Sequence, residues 1–269
     1  MYNLLKGKKG IIFGALDEKS IAWITALKCH EEGAEIVLSN APVAMRMGEI
    51  NKLAEKIGAP VIGCDVSSAD DVENLIVKTM EHFGGGFDFI LHSIGMSINV
   101  RKGKHYTQID YTHNLKTFEI SSMSLHRVLA CCMKHDALNE WASVVALTYI
   151  AAQRVFPDYN EMADAKSLLE SVARSFGYHY GVKKHVRVNT VSQSPTRTTA
   201  GSGVKGFDGF ISYAEKMSPL GNASAEDCAN YCVTLFSDLT RMVTMQNLFH
   251  DGGFSNTGVT QGVIDQMEK

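Results

Sequence analysis

Short apolar runs alternate along this chain with longer stretches whose apolar residues recur at helical spacing. The runs are Gly10–Gly14 (GIIFG), Glu35–Ser39 (EIVLS), Pro60–Cys64 (PVIGC), Phe87–His92 (FDFILH), Val144–Leu147 (VVAL), Val186–Val191 (VRVNTV) and a segment near Gln246–His250. Most are apolar throughout instead of alternating, which is the pattern of parallel strands buried on both faces. The intervening spacing predicts helices over Ser20–Glu32, Ala44–Gly58, about Ala69–Phe83, within Tyr111–Lys134, from Tyr159 onward, and over Ala225–Ser237. A βα alternation of this kind demands right-handed crossovers and a sheet covered on both sides. The expectation is therefore an α/β fold. A single doubly wound Rossmann-type domain fills residues 1–269, with about seven parallel strands and no linker or repeat.

Composition narrows the function classes without choosing among them. Of 269 residues, 45% are hydrophobic and 20% charged, which suits a globular chain with a large core. A net charge of −3 argues against nucleic-acid binding through bulk phosphate attraction. The opening MYNLLKGKKGIIFGAL holds too short an apolar run for a signal peptide, and no window approaches the ~20 apolar residues of a membrane span. A cytoplasmic protein without membrane contact is expected. Cys29, Cys64, Cys131, Cys132, Cys228 and Cys232 include no CxxC pair and are expected to be buried thiols. The ten histidines include no HExxH, so no metal is expected.

Doubly wound sheets bind ligands beyond the carboxyl ends of their strands. Three candidate segments fall there. Gly14, six residues before Ser20 and Ile21, permits a tight turn and then offers a helix N-terminus suited to phosphate, although an ordinary capped turn has the same pattern. Asp65 could accept a hydrogen bond from an adenine amino group with Val66 against the ring, or it could simply cap a helix. His92-Ser93-Ile94-Gly95 supplies a small turn for close backbone approach, with His92 equally readable as a core histidine.

The segment after the fifth strand carries the strongest candidate chemistry. Tyr149 lies in the connector, and Asp158 with Glu161 has capping-box spacing, which predicts a helix beginning at Tyr159. Tyr159 and Lys166 would then share one helix face about 10 Å apart. Two snorkelling side chains at a core edge are the bland alternative. Tyr180 and Lys184 also stand four positions apart, but Gly181–His185 reads as a surface turn after the helix, and no catalytic role is assigned there.

Taken together, Gly14-x5-Ser20-Ile21-Ala22, Asp65-Val66, His92–Gly95, Tyr149, Tyr159-x6-Lys166, Ser194–Ala200 and Asp251–Phe254 resemble the bacterial enoyl-[acyl-carrier-protein] reductases of the short-chain dehydrogenase/reductase superfamily. The resemblance runs essentially end to end. It implies reduction of the trans-2 double bond of an enoyl thioester on acyl carrier protein by a nicotinamide cofactor, and a homotetramer. It further implies that Tyr159 meets the enolate oxygen and that Lys166 binds the nicotinamide ribose while favouring the enolate and Tyr159 ionisation. Tyr149 would line the acyl pocket with a lesser role, and Ser97 joins Tyr149 and Tyr159 on the substrate side. Gly14, Ser20, Ile21, Asn40, Asp65, Val66, Ser93, Ile94, Gly95, Thr196 and Thr198 would contact the cofactor.

Ser194 stands before Pro195 where many relatives carry glycine, a departure in the local backbone. Gly201, Gly203, Gly206 and Gly209 are expected to loosen a lid at about 198–217 over an apolar pocket, and Arg197 and Lys205 could attract an acidic carrier protein. The second strand ends at Asn40 without a carboxylate and is compatible with either dinucleotide; NADH is expected, with NADPH as the alternative, and Arg46 could reach a 2′-phosphate. A ketone-reducing relative and a non-catalytic dinucleotide scaffold remain as alternatives.

Overall fold

A computed structural model of the chain describes residues 2–157, 159–198 and 206–268. Its centre is the apolar run Lys9–Phe13 (β1), flanked by Glu35–Asn40 (β2) and Phe87–His92 (β4). Val61–Gly63 (β3) closes one edge, and Leu138–Thr148 (β5), Arg187–Gln193 (β6) and Asn247–His250 (β7) extend the other. The order is β3-β2-β1-β4-β5-β6-β7, with every pair parallel. The chain moves outward from β1 to β3 and then returns to the other side of β1. The carboxyl ends of β1 and β4 thus flank the switch point where such sheets bind ligands.

Helices cover both faces. Ile21–Glu31 (α1), Pro42–Met47 (α2), Ile50–Ile57 (α3) and Ala225–Phe236 (α10) belong to one side, where Trp23, Leu53, Phe89 and Phe236 form part of one core. Ala69–Phe83 (α4), Ser124–Lys134 (α7) and Glu161–Lys184 (α8) pack a second core around Ile76, Leu129, Leu169 and Tyr180. Shorter helices are Ile98–Arg101 (α5), Tyr111–Phe118 (α6), Phe207–Met217 (α9) and Gln261–Met267 (α11). Among the described residues, no helix is long and apolar enough to cross a membrane, and no group of three or more His, Cys, Asp or Glu could hold a metal.

Several elements depart from the sequence reading, each for a local reason. The helix expected over Ala44–Gly58 is split, because Gly48 packs its backbone on Leu16, whose carbonyl accepts from Glu49 N at 2.8 Å. A Cβ on Gly48 would meet that carbonyl oxygen at 2.7 Å. The fifth strand starts earlier than Val144 because a bulge holding Trp141 at φ 64° interrupts the run without ending it. The helical stretch from Tyr111 to Lys134 contains a π turn at Glu119–Met123.

The long helix starts at Glu161, not Tyr159. Glu161 is turned into the interior instead of back toward the chain entry, and Asp158, the other half of the expected capping box, lies outside the described residues. The same helix runs on to Lys184, so Tyr180–Lys184 is helical and not a turn. Tyr180 is in the core with its hydroxyl donating to the Leu129 carbonyl at 3.0 Å, which leaves it no part in chemistry at the strand ends.

Candidate active site

At the switch point, β1 turns away through Gly14 at φ 91°, a left-handed conformation that favours glycine. A Cβ there would lie 2.0 Å from the Ser93 carbonyl oxygen, so the two strand ends approach as closely as backbones can. Ser20 caps α1, accepting from Trp23 N at 3.3 Å and from Leu16 N at 3.3 Å while donating to the Asp17 carbonyl at 2.8 Å. Its hydroxyl is committed to the turn, and what the segment offers a ligand is the start of an 11-residue helix.

The Ser93–Met96 segment is fastened from below by the π turn. Ser121 Oγ accepts from Met96 N at 3.0 Å and donates to Met96 O at 3.2 Å. Ser122 Oγ donates to the Ala165 carbonyl at 2.5 Å, and Ser124 Oγ lies 2.8 Å from His92 Nε2. The π turn thus faces Ser121 toward the segment after β4 and Ser122 toward α8, and Ser124 follows it at the start of α7. His92 is fully buried, and burial followed by the charge of Lys166 pushes its pKa down to about 3, so it is a neutral core histidine.

Lys166, in the second turn of α8, is 7% exposed. Its ammonium donates to the Leu147 carbonyl at 2.8 Å and the Ile94 carbonyl at 3.5 Å. An ammonium has three N–H donors, so these contacts leave one to point at a ligand. Burial lowers its pKa to about 8, opposed by the negative charge of Glu170. A Cβ on Gly95 would lie 3.7 Å from Nζ, so the ammonium borders the turn below it closely.

Tyr149 hangs from the end of β5, and its ring centroid is 5.2 Å from that of Tyr159 with a tilt of 56°. Tyr159 reaches the same place from the other side, since Asn160 adopts φ 45° and ψ −140° and the helix begins only afterwards. That bend is held by Asn160 Nδ2 donating to the Lys104 carbonyl and by Glu161, fully buried, whose Oε1 accepts from Ser97 Oγ at 2.5 Å and Thr117 Oγ1 at 3.2 Å. Burial raises both phenol pKa values above their usual range, with the neighbouring Tyr159 and Asp251 adding to the effect on Tyr149. Tyr159 is therefore a neutral donor at ordinary pH.

These groups line one cavity of about 250 Å³. It joins Ile21, Ser93, Ile94, Gly95, Ser97, Tyr149, Tyr159, Lys166, Thr196 and Thr198. The hydroxyl of Ser97 is already spent on Glu161 and on capping α5, so it shapes the wall. Gly14, Ser20, Asn40, Asp65 and Val66 lie outside that lining. Asn40 ties the Ala15 carbonyl at 3.0 Å, while the exposed Asp65 accepts from Ser67 N and Oγ, bonds that hold its pKa low. Ser194 fills the place of a glycine without difficulty, its Oγ accepting from Ala223 N at 3.1 Å.

Phe207 and Phe210 enter the cavity from α9, which is helical across Gly209 and not the loosened chain expected there. Gly201, Gly203 and Lys205 lie outside the described residues. Arg197 is paired with Asp208. Phe156, which the sequence reading missed, packs between Tyr149 and Phe210 at centroid distances of 5.3 and 5.8 Å and tilts of 53° and 48°. Glu161, Glu170 and the π-turn serines were missed as well; only the proximity of the two glutamates to Tyr159 and Lys166 in sequence pointed to them.

The enoyl-(acyl carrier protein) reductase family model matches residues 14–255. Over 258 residues the chain is 32% identical to the enoyl-[acyl-carrier-protein] reductase [NADH] 1 of Rhizobium meliloti, covering 95% of this chain and 93% of that protein. The NADH-dependent FabI of Aquifex aeolicus is 32% identical over 262 residues, covering 95% and 94%. The crystal structure of the FabI–NADH complex from Alistipes finegoldii superposes with a TM-score of 0.95 at 64% identity, covering 96% of this chain and 92% of that one.

Proposed function

The chain belongs to the enoyl-(acyl carrier protein) reductase family, and from that premise we propose how its own residues carry the reaction. The activity is NADH-dependent reduction of the trans-2 double bond of enoyl thioesters carried on acyl carrier protein, the last step of fatty acid elongation. When bound, NADH supplies the hydride that adds to the β-carbon. The observation that carries the residue assignment is the convergence of Tyr149, Tyr159 and the buried Lys166 on one cavity beside the switch point.

The residues present fit that cofactor. Lys166 has a donor to spare for ribose hydroxyls, and its ammonium is fixed in direction by the Leu147 and Ile94 carbonyls. The tight turn at Gly14, the start of α1 at Ser20 and Ile21, and Ser93–Gly95 are assigned to the diphosphate and ring, with Thr196 and Thr198 on the cavity wall. Asn40, Asp65 and Val66 are assigned to the adenosine end, outside the cavity lining.

On the substrate, negative charge accumulates on the thioester oxygen as the double bond is attacked. Tyr159, kept protonated by its surroundings, donates a hydrogen bond to that oxygen which strengthens as the charge grows. The ammonium of Lys166 adds electrostatic stabilisation from the same wall. A proton delivered to the α-carbon then completes the saturated thioester. Tyr149 and Phe156, with Phe207 and Phe210 of the α9 lid, give the acyl chain an apolar surface and keep water from the reacting carbons.

The whole chain is one catalytic domain, with residues 198–217 as the lid. It works in the cytoplasm as a homotetramer, a reading supported by family membership and by apolar side chains such as Tyr111 and Leu115 left exposed on α6. Purified protein mixed with crotonyl-coenzyme A and NADH is expected to consume the absorbance of the reduced cofactor, with much slower consumption of NADPH. An inert mixture would overturn the assignment, and light scattering gives the oligomeric mass.

A further inference from the structure

Glu170 lies one helical turn beyond Lys166 on α8, is 4% exposed, and has no part in the steps above. Its two carboxylate oxygens serve different partners. Thr148 Oγ1 donates to one at 3.0 Å, and Gln153 Nε2 donates to the other at 3.1 Å. Thr148 is the last residue of β5, immediately before Tyr149, and Gln153 follows the single 3-10 turn Ile150–Ala152 that comes immediately after it. One carboxylate on the helix that carries Lys166 therefore grips both ends of the segment that carries Tyr149. Ser167 adds a parallel tie from the same helix, donating to the Ala152 carbonyl at 2.6 Å.

A neutral amide could make one of these grips, and burying a carboxylate is costly unless its charge is used. Burial raises the Glu170 pKa, while the hydrogen bonds from Gln153 and Thr148, and then the positive charges of Arg174 and Lys166, pull it back down. We propose that Glu170 is a positioning residue for the enoyl reduction, keeping the buried Lys166 in its charged form and holding the Tyr149 segment in register with it. This rests on the roles given above to Lys166 and Tyr149.

Among the described residues, the other titratable groups around the ammonium are silent near neutrality. His92, from β4, is uncharged above about pH 3, and the phenols of Tyr149 and Tyr159 are raised by burial. Arg174 acts on Glu170, and Asp251 on Tyr149. Glu170 is left as the anion that opposes the desolvation of Lys166. Glu170 stands four residues after Lys166 on the same helix, and an opposite charge within about 4–6 Å shifts a pKa by about one unit or more.

The test compares wild type with Glu170→Gln, Glu170→Asp, Glu170→Ala and Lys166→Ala between pH 6 and 10. Two readouts are followed: kcat/KM for crotonyl-coenzyme A, and NADH affinity by fluorescence titration without thioester. Wild type is expected to lose both through an alkaline limb near pH 8. Glu170→Gln moves that limb down by about one unit in both readouts. Glu170→Asp, which keeps the charge with a shorter reach, leaves the limb in place and raises KM. Glu170→Ala shows the shift together with a roughly tenfold lower kcat at pH 6.5, part of which Gln restores.

A limb present in wild type, absent in Lys166→Ala and unmoved in Glu170→Gln rejects the role of Glu170 alone. If Glu170→Gln folds poorly, a displaced limb in Glu170→Asp is the rejecting result. Absence of a limb in wild type, or full NADH affinity in Lys166→Ala, rejects the reading of Lys166 and this inference with it.

Discussion

The rings of Tyr149 and Tyr159 stand 5.2 Å apart at a tilt of 56°, although one hangs from a strand end and the other from the approach to a helix. Two phenols at one wall invite the question of which serves the oxygen. Tyr159→Phe is expected to lower kcat by about 100-fold with NADH affinity unchanged, the effect of removing one donor aimed at a developing oxyanion. Tyr149→Phe is expected to cost less than about tenfold, since its ring packing on Phe156 survives. Steady-state rates with NADH titrations on both variants check the assignment, and reversed magnitudes would transfer the oxyanion to Tyr149.

Gly14→Ala places a Cβ in a left-handed backbone 2.0 Å from the Ser93 carbonyl oxygen. Both strand ends must separate. The expected result is at least about tenfold weaker NADH binding and a loss of roughly 2–4 °C in Tm for each kcal/mol of strain. Calorimetry and fluorescence titration measure the two effects on the same sample.

His92 makes folding sensitive to acid. Its folded pKa is about 3, against about 6.5 in an unfolded chain, so between those values the unfolded state binds the extra proton and stability falls as pH falls. From pH 8 to pH 5 the loss amounts to about 2 kcal/mol. Denaturant unfolding of wild type and His92→Asn across this range isolates it, because the carboxylates contribute equally to both. A stability difference that stays constant with pH would refute the prediction.

Glu161→Ala leaves the buried hydroxyl of Ser97 without its acceptor, while Thr117 keeps the His113 carbonyl at 2.9 Å. A cost of about 1–3 kcal/mol, or roughly 2–10 °C in Tm, is expected. Glu161→Gln, which still accepts a hydrogen bond, should retain most of the stability. Since Glu161 also anchors the bend at Asn160, kcat should fall in step with Tm across the two variants.

The strands and the helix over Ala69–Phe83 were legible because their signals are local. Phe87–His92 is a short run buried on both faces, and Ser68 caps the Ala69–Phe83 helix by accepting from Asp71 N. The break at Gly48 was not legible, as its cause is Leu16, far back in the chain. Asp158 and Glu161 have the spacing of a cap, yet Glu161 finds better partners in Ser97 and Thr117, which no local pattern reveals. Glycine content suggested a loose chain up to Phe210, but the apolar side of Phe207, Phe210 and Met217 outweighs one glycine and makes a helix. At the site, Tyr159 and Lys166 could be read by resemblance. Ser121 and Ser122 could not, since what they hold is 25 and 43 residues away in sequence.

Because Asn160 turns the chain before the helix starts, the six residues between Tyr159 and Lys166 do not count helical turns. The phenol and the ammonium have separate mountings, one on a bent linker and one on a rigid rod. Evolution can therefore re-aim the oxygen donor toward thioesters of different shape by altering the linker, without disturbing the dinucleotide grip. A chemical ligand that displaces the linker would silence turnover while leaving the coenzyme in place.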